Sequence, residues 1–255
     1  MNNKQRIVSQ FGQNAHKYVT STIHAKGKDL PLLVEVVKEN RHERLLDIAT
    51  GGGHVVHTLA PFFNEAVALD LTKDMLKNAE AFIQENGHEN VSFVEGDAEN
   101  LPFADASFDT VTCRIAPHHF PHVDRFVHEA YRVVEKNGLF LLIDNVAPER
   151  EELDEFYNIV EKRRDSSHFR ACKKTEWISM IERTGFRVES IVTFTKTFPF
   201  EWWCSMTNLP EDEKNALNEY MLSAPEAIRS YFQVEIEDGS VQSFDAGAMF
   251  LVARK

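Results

Sequence analysis

Cysteine is scarce in this chain of 255 residues. Cys113, Cys172 and Cys204 are widely spaced and odd in number, which excludes a disulfide framework and fits a reducing compartment. They have no metal-ligand spacing, so no metal site is expected from them. Long hydrophobic runs are missing too. The longest, Leu139–Ile143, is too short to span a bilayer, and the N-terminal Met-Asn-Asn-Lys-Gln-Arg leads into no apolar signal core. A soluble, cytoplasmic protein without a membrane span is therefore expected. Positive charge is in deficit: 28 Lys and Arg stand against 40 Asp and Glu, a formal net charge of −12, which repels a phosphate backbone and argues against a nucleic-acid partner. The basic run Lys162-Arg163-Arg164 reads as a solvated helix face beside Glu161 and Asp165. There is no internal repeat, low-complexity segment or Gly/Ser linker.

What is present, between about residues 45 and 145, is an alternation of strand-length apolar runs with segments of helical period. That pattern predicts βαβ units and a buried parallel sheet. The strands are Arg44–Ala49, Ala66–Asp70, Val91–Glu95, Phe108–Cys113 and Leu139–Asp144. One helix carries the stripe Met75, Leu76, Ala79, Phe82 and Ile83, with Thr72 placed to cap it and Gly87 to end it. Another buries Phe126, Ala130, Val133 and Val134 before Gly138. A Glu-rich helix near 149–165, a helix near 175–184 stopped by Gly185, and strands Val188–Thr195 and Ala248–Ala253 complete the plan. Residues 198–243 interrupt it with Phe198, Phe200, Trp202 and Trp203, two helical stretches and a Glu237-Asp238-Gly239-Ser240 turn signal. The first thirty residues carry their own helical pattern (Ile7, Phe11, Ala15, Tyr18) and are expected to lie over the open end of the sheet.

The chemistry gathers at strand ends. Leu45-Leu46-Asp47-Ile48-Ala49 runs into Thr50-Gly51-Gly52-Gly53-His54 and then a helix, an arrangement that lets a ligand approach backbone N–H groups and a helix N-terminus. The dinucleotide fingerprint Gly-x-Gly-x-x-Gly fails, because its sixth position is Val56. Asp70 closes the second strand, where a carboxylate can accept from both hydroxyls of a ribose, and Asp97 closes the third, able to accept from an adenine amine. In this order and spacing the three features converge on one crevice that suits an adenosine-containing ligand. Singly, each could be a turn or a helix cap.

With these residues in place the chain resembles the class I S-adenosylmethionine-dependent methyltransferases. The family's glycine loop appears as Asp47-Ile-Ala-Thr-Gly-Gly-Gly53, its ribose acid as Asp70 and its adenine acid as Asp97-Ala98. Asn100–Asp109 and Phe11-x3-Ala15-x2-Tyr18 are similar to the subgroup of ubiquinone/menaquinone biosynthesis methyltransferases. Cys113–Phe120 and Leu142–Pro148 resemble a bacillus-type group whose acceptors are unassigned. Ala49 departs from the pattern, standing where the family usually has its first glycine. The resemblance implies a Rossmann-like, doubly wound sheet of seven mostly parallel strands with an antiparallel last strand. It also implies one methyltransferase domain over 1–255: an N-terminal helical cap (1–40), a core (41–197 and 244–255), and an insertion or lid (198–243). The implied cofactor is S-adenosyl-L-methionine, leaving S-adenosyl-L-homocysteine. Thr50, Gly51 and Gly53 would face its methionyl part, Leu71 and Met75 would border the adenosine, Arg114 would meet it from the fourth strand, and Tyr18 and Lys26 would close over it.

Methyl transfer needs alignment of donor and acceptor and, for some acceptors, a base; it demands no protein nucleophile or metal. His118 and His119 follow the fourth strand and are the candidates, His119 first. A structural role, capping backbone or packing on Pro117 and Phe120, is the competing reading. Asp144 and Asn145 could orient an acceptor or cap the next helix. Phe200, Trp202 and Trp203 could wall a flat acceptor or simply pack. The expected partner is a small-molecule acceptor, with a homodimer compatible. The competing functions are a nicotinamide-dependent oxidoreductase, which the missing glycine disfavours, and a non-catalytic protein that binds S-adenosylmethionine.

Overall fold

The apolar runs become strands, those at the centre of the sheet buried on both faces and the edge strand Val91–Glu95 only partly covered. In the computed structural model, β1 (His42–Ile48), β2 (Phe63–Asp70), β3 (Val91–Glu95), β4 (Phe108–Arg114) and β5 (Val134–Asn145) pair in parallel. The structure describes residues 3–20, 27, 29–39 and 42–255, and within the first helix the side chains of 4–12. Two further long strands, β6 (Arg187–Pro199) and β8 (Ser240–Arg254), complete the order β3-β2-β1-β4-β5-β8-β6. β8 runs antiparallel to both of its neighbours, β5 and β6. A short eighth strand, β7 (Glu235–Glu237), pairs with β8 off this path and comes from the predicted insertion. The path is the seven-stranded sheet with an antiparallel last strand that the sequence implied.

Strand alternation sends Leu45, Ala66, Ala68 and Leu141 to one face. There they meet α2 (Leu30–Val37), α3 (His54–Leu59) and Ile83 of α4 (Lys73–Glu85). Leu46, Val67, Val111 and Phe140 point the other way, onto α5 (Val123–Val133) and α7 (Lys174–Thr184), which contribute Phe126, Ala130, Trp177 and Ile181. Gly185 ends α7 in the left-handed region, φ 114°, as a C-terminal glycine does. Gly138 is not the helix stop the sequence suggested. It lies within β5, where a Cβ would stand 2.7 Å from the Asp109 carbonyl oxygen, so the close approach of β4 requires glycine. Thr72 does occupy the N-cap of α4, but its hydroxyl makes no capping bond.

β6 and β8 extend beyond the predicted strands. Their extra residues pair with each other, Lys196 with Ala246 and Phe198 with Phe244, as arms that carry α8 (Phe200–Ser205), α9 (Glu211–Leu222) and α10 (Glu226–Tyr231). These segments and α6 (Glu151–Arg164) enclose a third core containing Tyr157, Val160, Phe200, Trp203, Leu217, Met221 and Phe244. Phe200 and Trp203 are thus core residues and Trp202 packs beside them, which decides for packing over an aromatic wall. The basic run is corrected at its end only, since Lys162 and Arg163 are exposed as expected. Glu161 and Asp165 are buried, Arg164 pairs with Glu161 at 3.1 Å and lies over the Trp203 ring, and Lys162 donates to the Ser166 carbonyl at 2.9 Å.

Candidate functional site

The sheet's order reverses between β1 and β4, and their carboxyl ends open the crevice where a doubly wound sheet binds its ligand. A single pocket there is lined by Asp47, Thr50 and Gly51 after β1, by Asp70, Leu71, Thr72 and Met75 after β2, and by Asp97, Ala98 and Glu99 after β3. Arg114, Ile115 and His119 line it after β4. Helix α1 (Asn3–Thr20) covers it with Lys4, Ile7 and Phe11. The predicted Tyr18 falls on α1 with its side chain outside the described residues, and Lys26 lies outside them entirely.

The loop after β1 is shaped by backbone conformation. Ala49, Gly51 and Gly53 have φ of 55°, 56° and 80°, all in the left-handed region. Gly51 and Gly53 adopt it without strain, whereas Ala49 brings a Cβ into a conformation costing an L-residue roughly 1–2 kcal/mol. Replacing Ala49 with glycine is expected to stabilise the protein by roughly 0.5–1 kcal/mol and raise its Tm by about 2 °C, read by thermal melting. An unchanged or lower Tm would show that packing of the methyl group outweighs the strain. Gly53 is not in the pocket wall as expected. A Cβ there would come within 3.3 Å of Ala79, so this glycine serves the approach of α3 to α4.

Asp70 is buried and accepts from the backbone N–H of Gly51 at 3.0 Å and of Thr72 at 2.9 Å, tying the glycine loop to the start of α4. Burial raises its carboxyl above the ordinary value, against those hydrogen bonds. Asp47 is still more enclosed. It accepts from the Thr112 hydroxyl at 2.8 Å, and burial pushes its pKa up to about 7. Its Oδ2 and the hydroxyls of Thr50 and Thr72 are buried without a hydrogen-bond partner among the described residues. All three belong to residues of the pocket wall.

Asp97 meets Lys4 of α1 at 2.5 Å, and the same ammonium reaches Glu99 at 2.6 Å. Burial opposes the charge on Lys4, but the two carboxylates outweigh it and raise its pKa. Glu99 also accepts from the His122 N–H at 2.6 Å, joining the third strand end to α5. Arg114 is half of a buried two-pronged ion pair: Nε and Nη2 donate to Asp29 at 2.7 and 2.9 Å. The guanidinium therefore anchors the segment before α2 to the end of β4 while lining the pocket. Ile115, a β-branched residue at φ 53°, is a backbone outlier at the rim.

The histidine pair divides. His119 is in the wall, edge-on to Phe11 with ring centroids 4.9 Å apart. His118 is not; it turns behind the wall, where its Nδ1 lies 2.6 Å from Asp144 and its backbone N–H donates to the same carboxylate. Burial works against an imidazolium here, yet the charge of Asp144 outweighs it and raises the His118 pKa. Asp144 and Asn145 are correspondingly absent from the pocket wall. Asp144 is fully buried against His118, and Asn145 accepts from Lys196 at 3.2 Å. Neither caps the next helix, whose N-cap is Arg150.

Comparison with known proteins places this geometry. A methyltransferase-domain family profile matches residues 46–142, which span β1 to β5. The uncharacterized methyltransferase YcgJ of Bacillus subtilis is 35% identical over 242 residues, covering 94% of this chain and 96% of that protein. The chain belongs to the methyltransferase family. A crystal structure of a Bacillus halodurans C-125 protein assigned as a methyltransferase is 49% identical, with a TM-score of 0.88 over 90% of this chain and 99% of that one. The ubiquinone/menaquinone biosynthesis C-methyltransferase UbiE of Bartonella tribocorum is 34% identical over 122 residues, 46% of this chain and 47% of its own length.

This methyltransferase is thus an S-adenosylmethionine-dependent enzyme by family. The residues fit that cofactor: the pocket wall combines partnerless buried acceptors with a backbone loop kept free of side chains at Gly51. Lys4, Thr72, Glu99 and Ile115 escaped sequence reasoning. Glu99 could have been noticed two residues after Asp97. Lys4 had no local signal, because its pairing with Asp97 spans 93 residues.

Proposed function

We propose that this methyltransferase acts on a small-molecule acceptor, held between the cofactor pocket and His119. The observation that carries this reading is the position of His119 in the same wall as Asp47, Asp70 and Asp97, beneath α1. A crevice roofed by a helix suits a compact acceptor, and the acidic net charge of −12 disfavours nucleic acid.

In this proposal Asp70 accepts from the ribose hydroxyls, Asp97 and Ala98 border the adenine, Leu71 and Met75 flank the nucleoside, and Asp47, Thr50 and Gly51 hold the methionyl end. Arg114 keeps the rim of the site in place. S-adenosylmethionine, when bound, supplies a methyl carbon on a sulfonium, and the bonding pair stays on sulfur as the acceptor's lone pair takes that carbon. His119 takes the acceptor's proton where there is one, and the pocket excludes water from the exchange. The chain acts as one domain, with 1–40 as cap and 198–243 as an insertion that shares a core with α6. Its three free cysteines support a reducing, cytoplasmic setting.

Calorimetric titration with S-adenosylmethionine and with NADH tests the cofactor assignment; micromolar binding of the former and none of the latter is expected. Mass-spectrometric screening of phenol, quinone, thiol and amine acceptors then tests turnover. Cofactor binding with no methylated product from any class, and no effect of His119→Ala, would favour a non-catalytic binding protein.

A further inference from the structure

Behind His119 lies a chain of buried groups that the cofactor does not need. Helix α6 ends at Arg164, and the turn Asp165-Ser166-Ser167 folds back beneath the short turn Pro117–His119. The Ser167 hydroxyl is 2.5 Å from Asp165 Oδ1 and 3.2 Å from His119 Nδ1. Asp165 Oδ1 also accepts the backbone N–H of Ser167 at 2.8 Å, which holds the serine from a second point. All three residues are buried.

We propose that Asp165 and Ser167 are positioning residues that fix the tautomer of His119, placing its proton on Nδ1 and making Nε2 the basic nitrogen of the ring. The inference rests on reading His119 as the base of the methyl-transfer site. A serine hydroxyl carries one proton, and the carboxylate at 2.5 Å, acceptor only, takes it. The oxygen then has only lone pairs for its imidazole neighbour, so Nδ1 must donate. The other neutral tautomer would set lone pair against lone pair in a buried site.

The charges around the ring make this arrangement consequential. Burial, and then the charge of His118 on the same turn, push the His119 pKa well below its ordinary value. Arg164 of α6 acts in the same direction, and His168 stands with its ring centroid 6.4 Å away. Asp165 and a backbone hydrogen bond of Ser167 act oppositely, favouring the imidazolium. During transfer the acceptor atom X–H gives its proton to Nε2 as its lone pair bonds to the methyl carbon. The Nδ1–H remains directed at Ser167, with the anionic Asp165 beyond it. Without the pair, a neutral His119 could present a protonated Nε2 to the acceptor and could not act as its base.

The test is a long-range 1H–15N correlation of the histidine side chains in the full chain, with the His119 signals assigned by their loss in His119→Gln. Between pH 6 and 8 the wild-type ring is expected to be neutral and protonated at Nδ1. Asp165→Ala removes the oxygen that accepts the hydroxyl proton, leaves that proton free to be donated to Nδ1, and should shift the ring to the Nε2–H form. Ser167→Ala should give a mixture, and Ser167→Thr, which keeps the hydroxyl, should restore the wild-type form. An Nε2–H ring in the wild type, or a ring unmoved by both Asp165→Ala and Ser167→Ala, overturns the assignment. Calorimetry with S-adenosylmethionine on the same samples separates the two readings. Absent binding by the wild type counts against the cofactor site whatever the tautomer, and unchanged binding by Ser167→Ala confirms an intact fold. Once an acceptor is in hand, Ser167→Ala should lower kcat about tenfold with little change in KM for S-adenosylmethionine and displace the pH–rate profile, as loss of base alignment requires.

Discussion

Asp70→Ala is expected to weaken binding of S-adenosylmethionine by roughly 100-fold or more, measured by calorimetry. A hydrogen bond to a charged group is worth about 1.5–3 kcal/mol, so two ribose hydroxyls deprived of this carboxylate cost about 3 kcal/mol. The substitution has a second effect, because the same carboxylate accepts from Gly51 and Thr72 and so holds the glycine loop in shape. Asp70→Asn separates the two contributions. Its amide oxygen can still accept one backbone bond, so its loss should be intermediate. Wild-type affinity in Asp70→Ala would remove the ribose assignment.

Asp47→Asn should stabilise the free protein while impairing cofactor binding. The Asp47 carboxyl has a folded pKa of about 7 against 3.8 unfolded, chiefly because burial disfavours its charge. The folded state therefore holds the proton more tightly than the unfolded state. The stability tied to that proton is fully present below pH 3.8 and is lost as pH rises through about 7. By linkage the loss at pH 8 is between about 1 and roughly 4 kcal/mol. An amide has no charge to desolvate, so the variant should melt several degrees higher at pH 8 and at nearly the wild-type temperature near pH 4. Equal Tm differences at both pH values would mean that Asp47 does not titrate in this window. Weaker binding of S-adenosylmethionine by the variant would mark Oδ2 as a contact kept at the expense of stability.

The strands were legible because a parallel strand buried on both faces has to be apolar along its whole length, as Leu45-Leu46 and Leu139–Ile143 are. The helices were legible by period, and the stop at Gly185 by the left-handed conformation that glycine adopts there. The pocket's Asp47, Gly51, Asp70 and Asp97 were legible because their positions are set by local features, a strand end followed by a turn. Gly138 was misread because its reason is a neighbouring strand's carbonyl oxygen rather than its own backbone. In the run Lys162-Arg163-Arg164 only the last residue was misread, because a charge pattern does not reveal that Trp203 and Glu161 enclose it.

By itself, the sequence determined the βαβ plan, the order of the acidic strand ends and the glycine loop that lines the pocket, all fixed by spacing within a few residues. Only the tertiary structure decided which histidine lines the pocket, that Lys4 bridges Asp97 and Glu99, that Arg114 is bound to Asp29, and that Asp165 and Ser167 stand behind His119. The physical reason is that these are hydrogen bonds and ion pairs between segments distant in the chain. Their partners are chosen by how the helices and long strand arms pack over the sheet, and no local pattern of residues encodes that choice.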